Sequence, residues 1–192
     1  MQLVLSTPRG PSSEDEEDGG RGTVSGGRCF FCGFEDDTVR SAGPRLAESF
    51  CHACLNIAEF AGLANLIYLP SVPQADFNLF MRTVYVALVA GDDIQKKEAA
   101  NMYNQLVAMA APVKRVWGTA DAGMMGQALE RIDTDAYQKR TRTLRGLVFM
   151  PLSKMLSREQ VNRWLDTVYV ESQGLAPKNW RFNFMTFFVG GK

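Results

Sequence analysis

The sequence predicts an α+β protein, mostly helical, in which a four-cysteine zinc-knuckle module precedes a helical domain. Two pairs of cysteines, two copies of a strand–turn–helix pattern and apolar residues at helical spacing lead to this prediction. The 192 residues suffice for one domain of ordinary size, a small metal module and a tail. We expect a disordered tail over 1–27, the zinc module over 28–60 and the mixed helical domain over 61–192.

The four cysteines of the chain form two CxxC pairs, Cys29–Cys32 and Cys51–Cys54, separated by 18 residues. Two such pairs at this separation are typical of a four-thiolate zinc site. Four thiolates complete a tetrahedral shell and leave no position for water or substrate, so the Zn²⁺ is expected to be structural. Gly33, directly after the first pair, allows the tight turn that aims backbone amides at the sulfurs.

Three other chemistries use the same residues. Two disulfides would need an oxidising compartment, and the N-terminus lacks the apolar core of a secretory signal. Thioredoxin-type redox chemistry would call for one CxxC on a βαβ unit, and an iron–sulfur cluster remains open on ligand type. Zinc with four thiolates carries a charge of about −2, which Arg28, Arg40 and Arg45 could partly compensate.

The tail is predicted from its composition. Residues 1–27 contain six glycines, two prolines and the acidic run from Glu14 to Asp18, a mixture that buries too little apolar surface to fold alone. Within it, the apolar stretch from Gln2 to Leu5 could add a short strand to a sheet edge.

The helical domain contains an internal sequence repeat, with one unit at 66–86 and the other at 147–170. Each unit has an apolar strand ending in proline and then a helix, and the two short strands could pair side by side. The helices show apolar residues at i, i+3, i+4 and i+7, which predicts a core-facing stripe. The matching positions are Phe77, Phe80, Met81 and Val84 in the first unit, and Val161, Trp164, Leu165 and Val168 in the second.

The helix of each repeat unit is also preceded by a pattern typical of a helix N-terminus. Ser71-x-x-Gln74 and Ser157-x-x-Gln160 fit a capping box, in which serine and glutamine side chains bond the first free amides. Between the units, Asp92 or Asp93 is expected to cap a further helix, and a shorter helix is expected over about 121–132.

Catalytic patterns are missing from the sequence. It has neither a GxxxxGK[ST] phosphate loop nor a GxGxxG fingerprint, and its single histidine, His52, lies inside the second CxxC pair. We therefore expect no enzyme, and a partly exposed His52. One basic cluster could contact a polyanion or an acidic partner, although a solvated surface explains it as well. It comprises Lys139, Arg140, Arg142 and Arg145.

Composition narrows the classes further. The 21 basic and 21 acidic residues balance, which argues against a protein devoted to gripping phosphate backbones. No apolar run reaches the length of a membrane span. Together with reduced cysteines, these features predict a cytoplasmic protein, held at the inner membrane only through a partner if at all.

The chain resembles the type IVB secretion accessory proteins called IcmJ or DotN. The resemblance lies in Cys29-Phe-Phe-Cys32-Gly33-Phe34, in the pair Cys51 and Cys54, and in Leu66-Ile-Tyr-Leu-Pro70 with Gln74 and Asn78 after it. It implies a four-cysteine zinc module, related in shape to HNH nucleases, ahead of a mixed helical domain. It also implies a place in the coupling complex that presents effectors for export. HNH catalysis needs several histidines, so nuclease activity is not expected here.

Two functions from different classes follow. The first is a zinc-stabilised cytoplasmic adaptor that binds an ATPase coupling protein of a type IV secretion or conjugation apparatus. The second is a catalytically inactive, zinc-dependent nucleic-acid-binding protein, which would contact phosphates through Arg28, Arg40, Arg45 and the basic cluster. A hydrolase with an unrecognised carboxylate site is a third, weaker alternative.

Overall fold

The fold was analysed in a computed structural model, which describes residues 4–7, 26–36, 40–42, 45–170 and 176–180. Most of the predicted tail lies outside these residues. The described part is mostly helical with short antiparallel strands, so the α+β class predicted from the sequence is confirmed.

The described chain begins with four short strands and continues mainly in helices, with two further strands among them. The strands are β1 (Gly27–Arg28), β2 (Glu35–Asp36), β3 (Arg40–Ala42), β4 (Arg45–Ala47), β5 (Ala64–Tyr68) and β6 (Leu147–Pro151). The helices are α1 (Ser49–Leu55), α2 (Gln74–Ala90), α3 (Asp93–Ala108), α4 (Ala110–Trp117), α5 (Ala122–Arg131), α6 (Thr134–Gln138), α7 (Arg140–Thr143) and α8 (Arg158–Thr167). Single 3-10 turns occur at Ile57–Phe60, Ser153–Met155 and Pro177–Asn179. Each strand pairs with one neighbour, β1 with β2, β3 with β4, and β5 with β6.

The strands of the two repeat units pair with each other at the centre of the molecule. β5 and β6 run antiparallel, with Leu66 opposite Phe149. Both of these side chains are fully buried, as expected for short apolar strands covered by helices. On the other edge of β5, the Leu66 amide donates a hydrogen bond of 2.6 Å to the carbonyl of Ala120. The pairing considered from the sequence is therefore present.

The helices that follow these strands pack against each other, α2 with α8. Phe77 and Met81 of α2 and Trp164 of α8 are buried, in agreement with the predicted stripes. Phe80 is an exception: it is 39% exposed, and its ring lies against that of Phe77 with the centroids 6.2 Å apart. The second unit has a 3-10 turn of three residues between strand and helix.

Of the two capping boxes predicted from the sequence, the one at α8 is found in part and the one at α2 is not found. Ser157 accepts a hydrogen bond from the Gln160 amide and caps α8, which is the serine half of the predicted capping box. The prediction of a capping box at Ser71 and Gln74 is wrong. α2 begins after Pro73 with no side-chain cap, because the Gln74 side chain is buried and bonds elsewhere. Asp92 caps α3 in a capping box with Gln95.

The described N-terminal residues, Val4–Thr7, lie against the folded domain. The Ser6 amide donates to the Cys54 carbonyl at 3.0 Å, and the Ile57 amide donates to the Ser6 carbonyl at 3.1 Å. The backbone of Thr7 exchanges two hydrogen bonds with the Tyr137 hydroxyl. Residues 4–7 form no strand, so the predicted edge strand is not found in residues 4 and 5; Ser6 bonds the chain at Cys54 and at Ile57. Gln2 and Leu3, also part of the predicted edge strand, lie outside the described residues.

One hydrophobic cluster joins the cysteine region to the helices. Trp164 of α8 packs edge-on against Phe34, which follows the first cysteine pair, and against Phe50 of α1. All three side chains belong to the same buried cluster as the residues of β5 and β6. Within the described part, no helix combines the length and apolar character needed to cross a membrane.

Candidate metal centre

The first cysteine pair lies on a tight turn between β1 and β2. Gly33 closes the turn with a φ of 72°, a backbone conformation that glycine adopts without strain. Its amide donates to the Cys29 carbonyl at 2.9 Å, and the Cys29 amide donates to the Phe34 carbonyl at 2.7 Å. The turn predicted from Cys32-Gly33 is confirmed.

The second pair lies on α1. Cys51 and Cys54 are three residues apart and so share one side of the helix. The helix begins at Ser49, before the pair, and ends at Leu55, where the Asn56 side chain bonds the His52 carbonyl at 2.8 Å and a 3-10 turn follows.

Three sulfurs meet where the turn faces the helix. The Sγ atoms of Cys29, Cys32 and Cys51 lie within 4.8 Å of one another. Around a zinc ion with Zn–S bonds of about 2.3 Å, tetrahedral sulfurs are about 3.8 Å apart, so this spacing fits a shared thiophilic metal. Cys54 is fully buried beside the group but is not one of the three mutually close sulfurs. Its role as fourth ligand stays a prediction.

The three close thiols influence one another's protonation through hydrogen bonds, which lower the pKa of one thiol and raise those of the other two. Hydrogen bonds from Cys32 and then Cys51 lower the pKa of Cys29 to about 2. The same bond to Cys29 raises the pKa of Cys32 to about 11, and bonding to Cys29 also raises the pKa of Cys51. Burial raises the pKa of Cys54. A metal ion would replace the shared protons, so its binding should release them.

Asn78 of α2 links the two sulfurs of the second pair. Its Nδ2 donates to Cys51 Sγ at 3.2 Å and lies 3.8 Å from Cys54 Sγ. Both sulfurs therefore approach the same amide nitrogen. Such a donor stabilises thiolate charge and orients the sulfur, the usual work of groups that surround metal ligands.

Glu48 closes the N-terminus of α1 directly beside the sulfurs. Its carboxylate oxygens accept hydrogen bonds from the amides of Phe50 and Cys51, both at 2.9 Å. A carboxylate at this position also interacts favourably with the helix dipole. The cap fixes the backbone from which the Cys51 side chain reaches the group.

Arg82 of α2 balances that carboxylate in the interior. Its Nη2 lies 3.1 Å from Glu48 Oε2, and both side chains are essentially inaccessible to solvent. Burial disfavours the charged guanidinium and is the largest single influence on it. The charge of Glu48 and its hydrogen bond, together with Cys32 and Tyr169, nevertheless raise the pKa of Arg82. The guanidinium also stacks on the Phe34 ring, 3.4 Å from its centroid. Its Nε and Nη1 have no hydrogen-bond partner among the described residues.

A polar row along α2 connects these features. Gln74, Asn78 and Arg82 follow one another at intervals of four, and all three are buried. Gln74 bonds the backbone of Phe149 in β6 and the side chain of Asn78. The row thus connects the ribbon formed by β5 and β6 (the central ribbon), the cysteine sulfurs and Glu48, which caps α1. Glu48, Asn78 and Arg82 were not among the site residues predicted from the sequence. The available signal was three polar residues four apart on an otherwise apolar helix face.

The remaining predicted site residues are elsewhere. Lys139, Arg142 and Arg145 line a cavity of about 680 Å³ beside β6, whereas Arg140 stacks on the Tyr137 ring at 4.2 Å. Arg28 bonds the Gly33 carbonyl from an exposed position. The side chains of Arg40 and Arg45 lie outside the described residues. His52 is partly buried on α1, as expected.

Comparison with known proteins adds one relationship. The Type 4 apparatus protein DotN of Legionella pneumophila subsp. pneumophila, strain Philadelphia 1, is 26% identical over 155 residues. The match covers 71% of this chain and 72% of DotN. The chain is thus similar to DotN over most of both proteins. The resemblance inferred from the cysteine pairs and the first strand is thereby confirmed. No protein-family model matches the chain.

Proposed function

We propose that this chain is a zinc-stabilised adaptor subunit of a type IV secretion apparatus, and that it binds the ATPase coupling protein of that apparatus. The similarity to DotN over most of both chains carries the proposal. In this role the chain would be cytoplasmic, or held at the inner membrane through its partner. It would act by binding and not by catalysis.

The arrangement of the cysteines supports a structural metal. Cys29 and Cys51 are buried, and Cys32 is partly buried, so a bound ion would have little access to substrate. We propose Cys54 as the fourth ligand, because its sulfur and that of Cys51 approach the same Asn78 nitrogen. Bound Zn²⁺ would link the β1–β2 turn to α1. We also retain the division into tail, zinc module and helical domain as part of the proposal.

Affinity purification of the tagged chain from the organism that encodes it tests the adaptor role. Lysates with and without nuclease are compared by protein mass spectrometry and by nucleic-acid gel. We expect a stoichiometric ATPase of the secretion apparatus that survives nuclease treatment. Nucleic acid recovered without a protein partner would contradict the adaptor role and favour the nucleic-acid-binding alternative. That alternative relies on Arg28, Arg40 and Arg45 and on the basic cluster of Lys139, Arg140, Arg142 and Arg145.

A further inference from the structure

Two cavities adjoin on the surface of the central ribbon. The larger, of about 680 Å³, lies between the loop after β5 and the segment from α6 to β6. The smaller, of about 350 Å³, lies between α4 and the same ribbon. Arg145 and Leu147 line both cavities, so the two adjoin at these residues, and we refer to them together as the depression.

The larger cavity combines positive charge with aliphatic surface. Lys139, Arg142 and Arg145 line it, and no described residue on its wall is acidic. None of these three cations forms an ion pair with a carboxylate in the described part of the chain. The remainder of the wall is largely aliphatic, with Leu69, Val72, Leu144 and Leu147 among its residues.

The smaller cavity adds exposed apolar surface. Val116 at the end of α4 is 78% exposed, Tyr68 is 53% exposed and Trp117 is 39% exposed. Arg145 is the one charged residue on its described wall. Large apolar side chains gathered around a concave surface are typical of a binding site for another molecule.

We propose that this depression binds a peptide segment of a partner protein in which acidic residues lie next to large apolar ones. The carboxylates would contact Lys139, Arg142 and Arg145, and an apolar side chain would enter the groove beside Val116 and Trp117. This inference builds on the proposed adaptor role and says where the partner docks.

A peptide fits this surface better than a nucleic acid does. Three cations are few for binding a phosphate backbone. The rest of the wall is largely aliphatic, which suits a leucine-like side chain better than a sugar. The aromatic residues Tyr68 and Trp117 lie in the smaller cavity and do not alternate with the cations.

Random peptides displayed on phage, selected against the metal-loaded full chain, test the proposal. We expect enrichment of peptides that combine Asp or Glu with Leu, Phe or Trp. The affinity of one enriched peptide is then measured by fluorescence anisotropy for the variants below. Failure to enrich any peptide, or enrichment of peptides without carboxylates, would overturn the proposal.

Matched variants locate the binding. The triple variant K139Q/R142Q/R145Q should weaken binding by about tenfold for each cation that contacts a carboxylate. The control K96Q/K97Q/R131Q removes the same charge from exposed positions on α3 and α5 and should bind like the wild type. Val116→Ser, at a highly exposed position, should weaken binding without affecting the fold. Equal affinity of the triple variant and the control would overturn the proposal.

Two further outcomes separate competing explanations. Short single-stranded RNA or DNA that binds through the same three cations, with no peptide binding, would replace the proposal with a nucleic-acid site. If K139Q/R142Q/R145Q still co-purifies the secretion ATPase at wild-type yield, the docking site is wrong and the adaptor role stands. If the wild type recovers no apparatus protein but binds acidic peptides, the adaptor role fails and the docking site stands.

Discussion

Glu48 and Arg82 are buried charges that the fold tolerates only as a pair. Glu48 holds the helix that carries Cys51, and Arg82 lies between that carboxylate and the Phe34 ring. Removing one partner of such a pair leaves the other charge in the interior without compensation, which costs more than the pair itself contributes. The cap that Glu48 forms on α1 and the stack of Arg82 on Phe34 therefore depend on each other. Both support the cysteine site, although neither residue is a thiol ligand.

We expect Glu48→Gln to lower the free energy of unfolding by about 3–5 kcal/mol, because the Arg82 charge stays buried without its partner. Urea unfolding of the metal-loaded protein measures the change. Glu98→Gln, the same substitution at an exposed position of α3, serves as the control and should have little effect.

A double-mutant cycle tests whether the two charges act as a pair. E48Q/R82M should lose less stability than the sum of E48Q and R82M, because neither charge then remains alone. Additive losses would show that Glu48 acts only as a cap of α1 and that Arg82 contributes independently.

The number of thiolate ligands can be counted with Co²⁺ in place of zinc. We expect the wild-type protein to show the charge-transfer absorption of four thiolates, and Cys54→Ser to show a weaker one with reduced metal affinity, since a hydroxyl is a poor ligand. Cys32→Ser should behave in the same way, because Cys32 belongs to the close group. Unchanged absorption and affinity in Cys54→Ser would restrict the site to three cysteines.

The sequence alone could identify the thiols but not the groups that support them. The CxxC spacing is local, so it predicts the cysteines and the turn at Gly33 directly. Glu48 and Arg82 meet only because α1 packs against α2, and no spacing rule joins residues so far apart in the chain. Glutamate is also not among the preferred N-cap residues, so nothing marked Glu48 as the cap of α1.

Among the helices, α5 is fitted to its neighbour by the absence of side chains. Gly123 and Gly126 lie three residues apart and face the 3-10 turn at Ile57–Phe60 and Ala61. A Cβ at Gly123 would overlap the backbone of Ala61, and one at Gly126 would overlap the backbone of Ala58. The close contact fixes the position of the chain just after the second cysteine pair.

Gly123→Ala should destabilise the protein by about 1–3 kcal/mol, because the added methyl group meets backbone that cannot move aside without shifting the 3-10 turn. Thermal and urea unfolding measure the loss. Gln127→Ala, at an exposed position of the same helix, is the control and should be nearly neutral. A stabilised Gly123→Ala would show that helix propensity outweighs this contact.

Elements with strong local patterns were predictable, and their ends were less so. The apolar strands and the helices of both repeat units follow from the periodicity of their apolar residues. Asp92 and Ser157 cap their helices, as their residue types predict. The start of α2 was not predictable from Ser71 and Gln74, because a tertiary contact with Phe149 uses the glutamine. Tertiary bonding outweighed a local capping pattern at that position.

At the scale of the whole molecule, the cysteine region and the helical region share one core. Trp164 of α8 contacts Phe34 and Phe50, and Val4–Thr7 bonds both the chain after α1 and Tyr137 of α6. Apolar contacts that cross between the two regions couple their unfolding. A bound metal that stabilises the cysteine region should therefore stabilise the helices as well.

We expect chelation of the metal to lower the melting temperature of the whole chain in a single transition. A ligand present at about a thousand times its dissociation constant stabilises by ~4 kcal/mol, and the helices should lose that amount together with the cysteine region. Far-UV circular dichroism follows the helices. Fluorescence of Trp164 in a Trp117→Phe, Trp180→Phe background follows the contact with Phe34 and Phe50. Coincident curves before and after chelation would support one cooperative unit. If the Trp164 signal changes at a lower temperature than the helical signal, residues 28–60 unfold as a separate domain and the shared core does not couple the two regions.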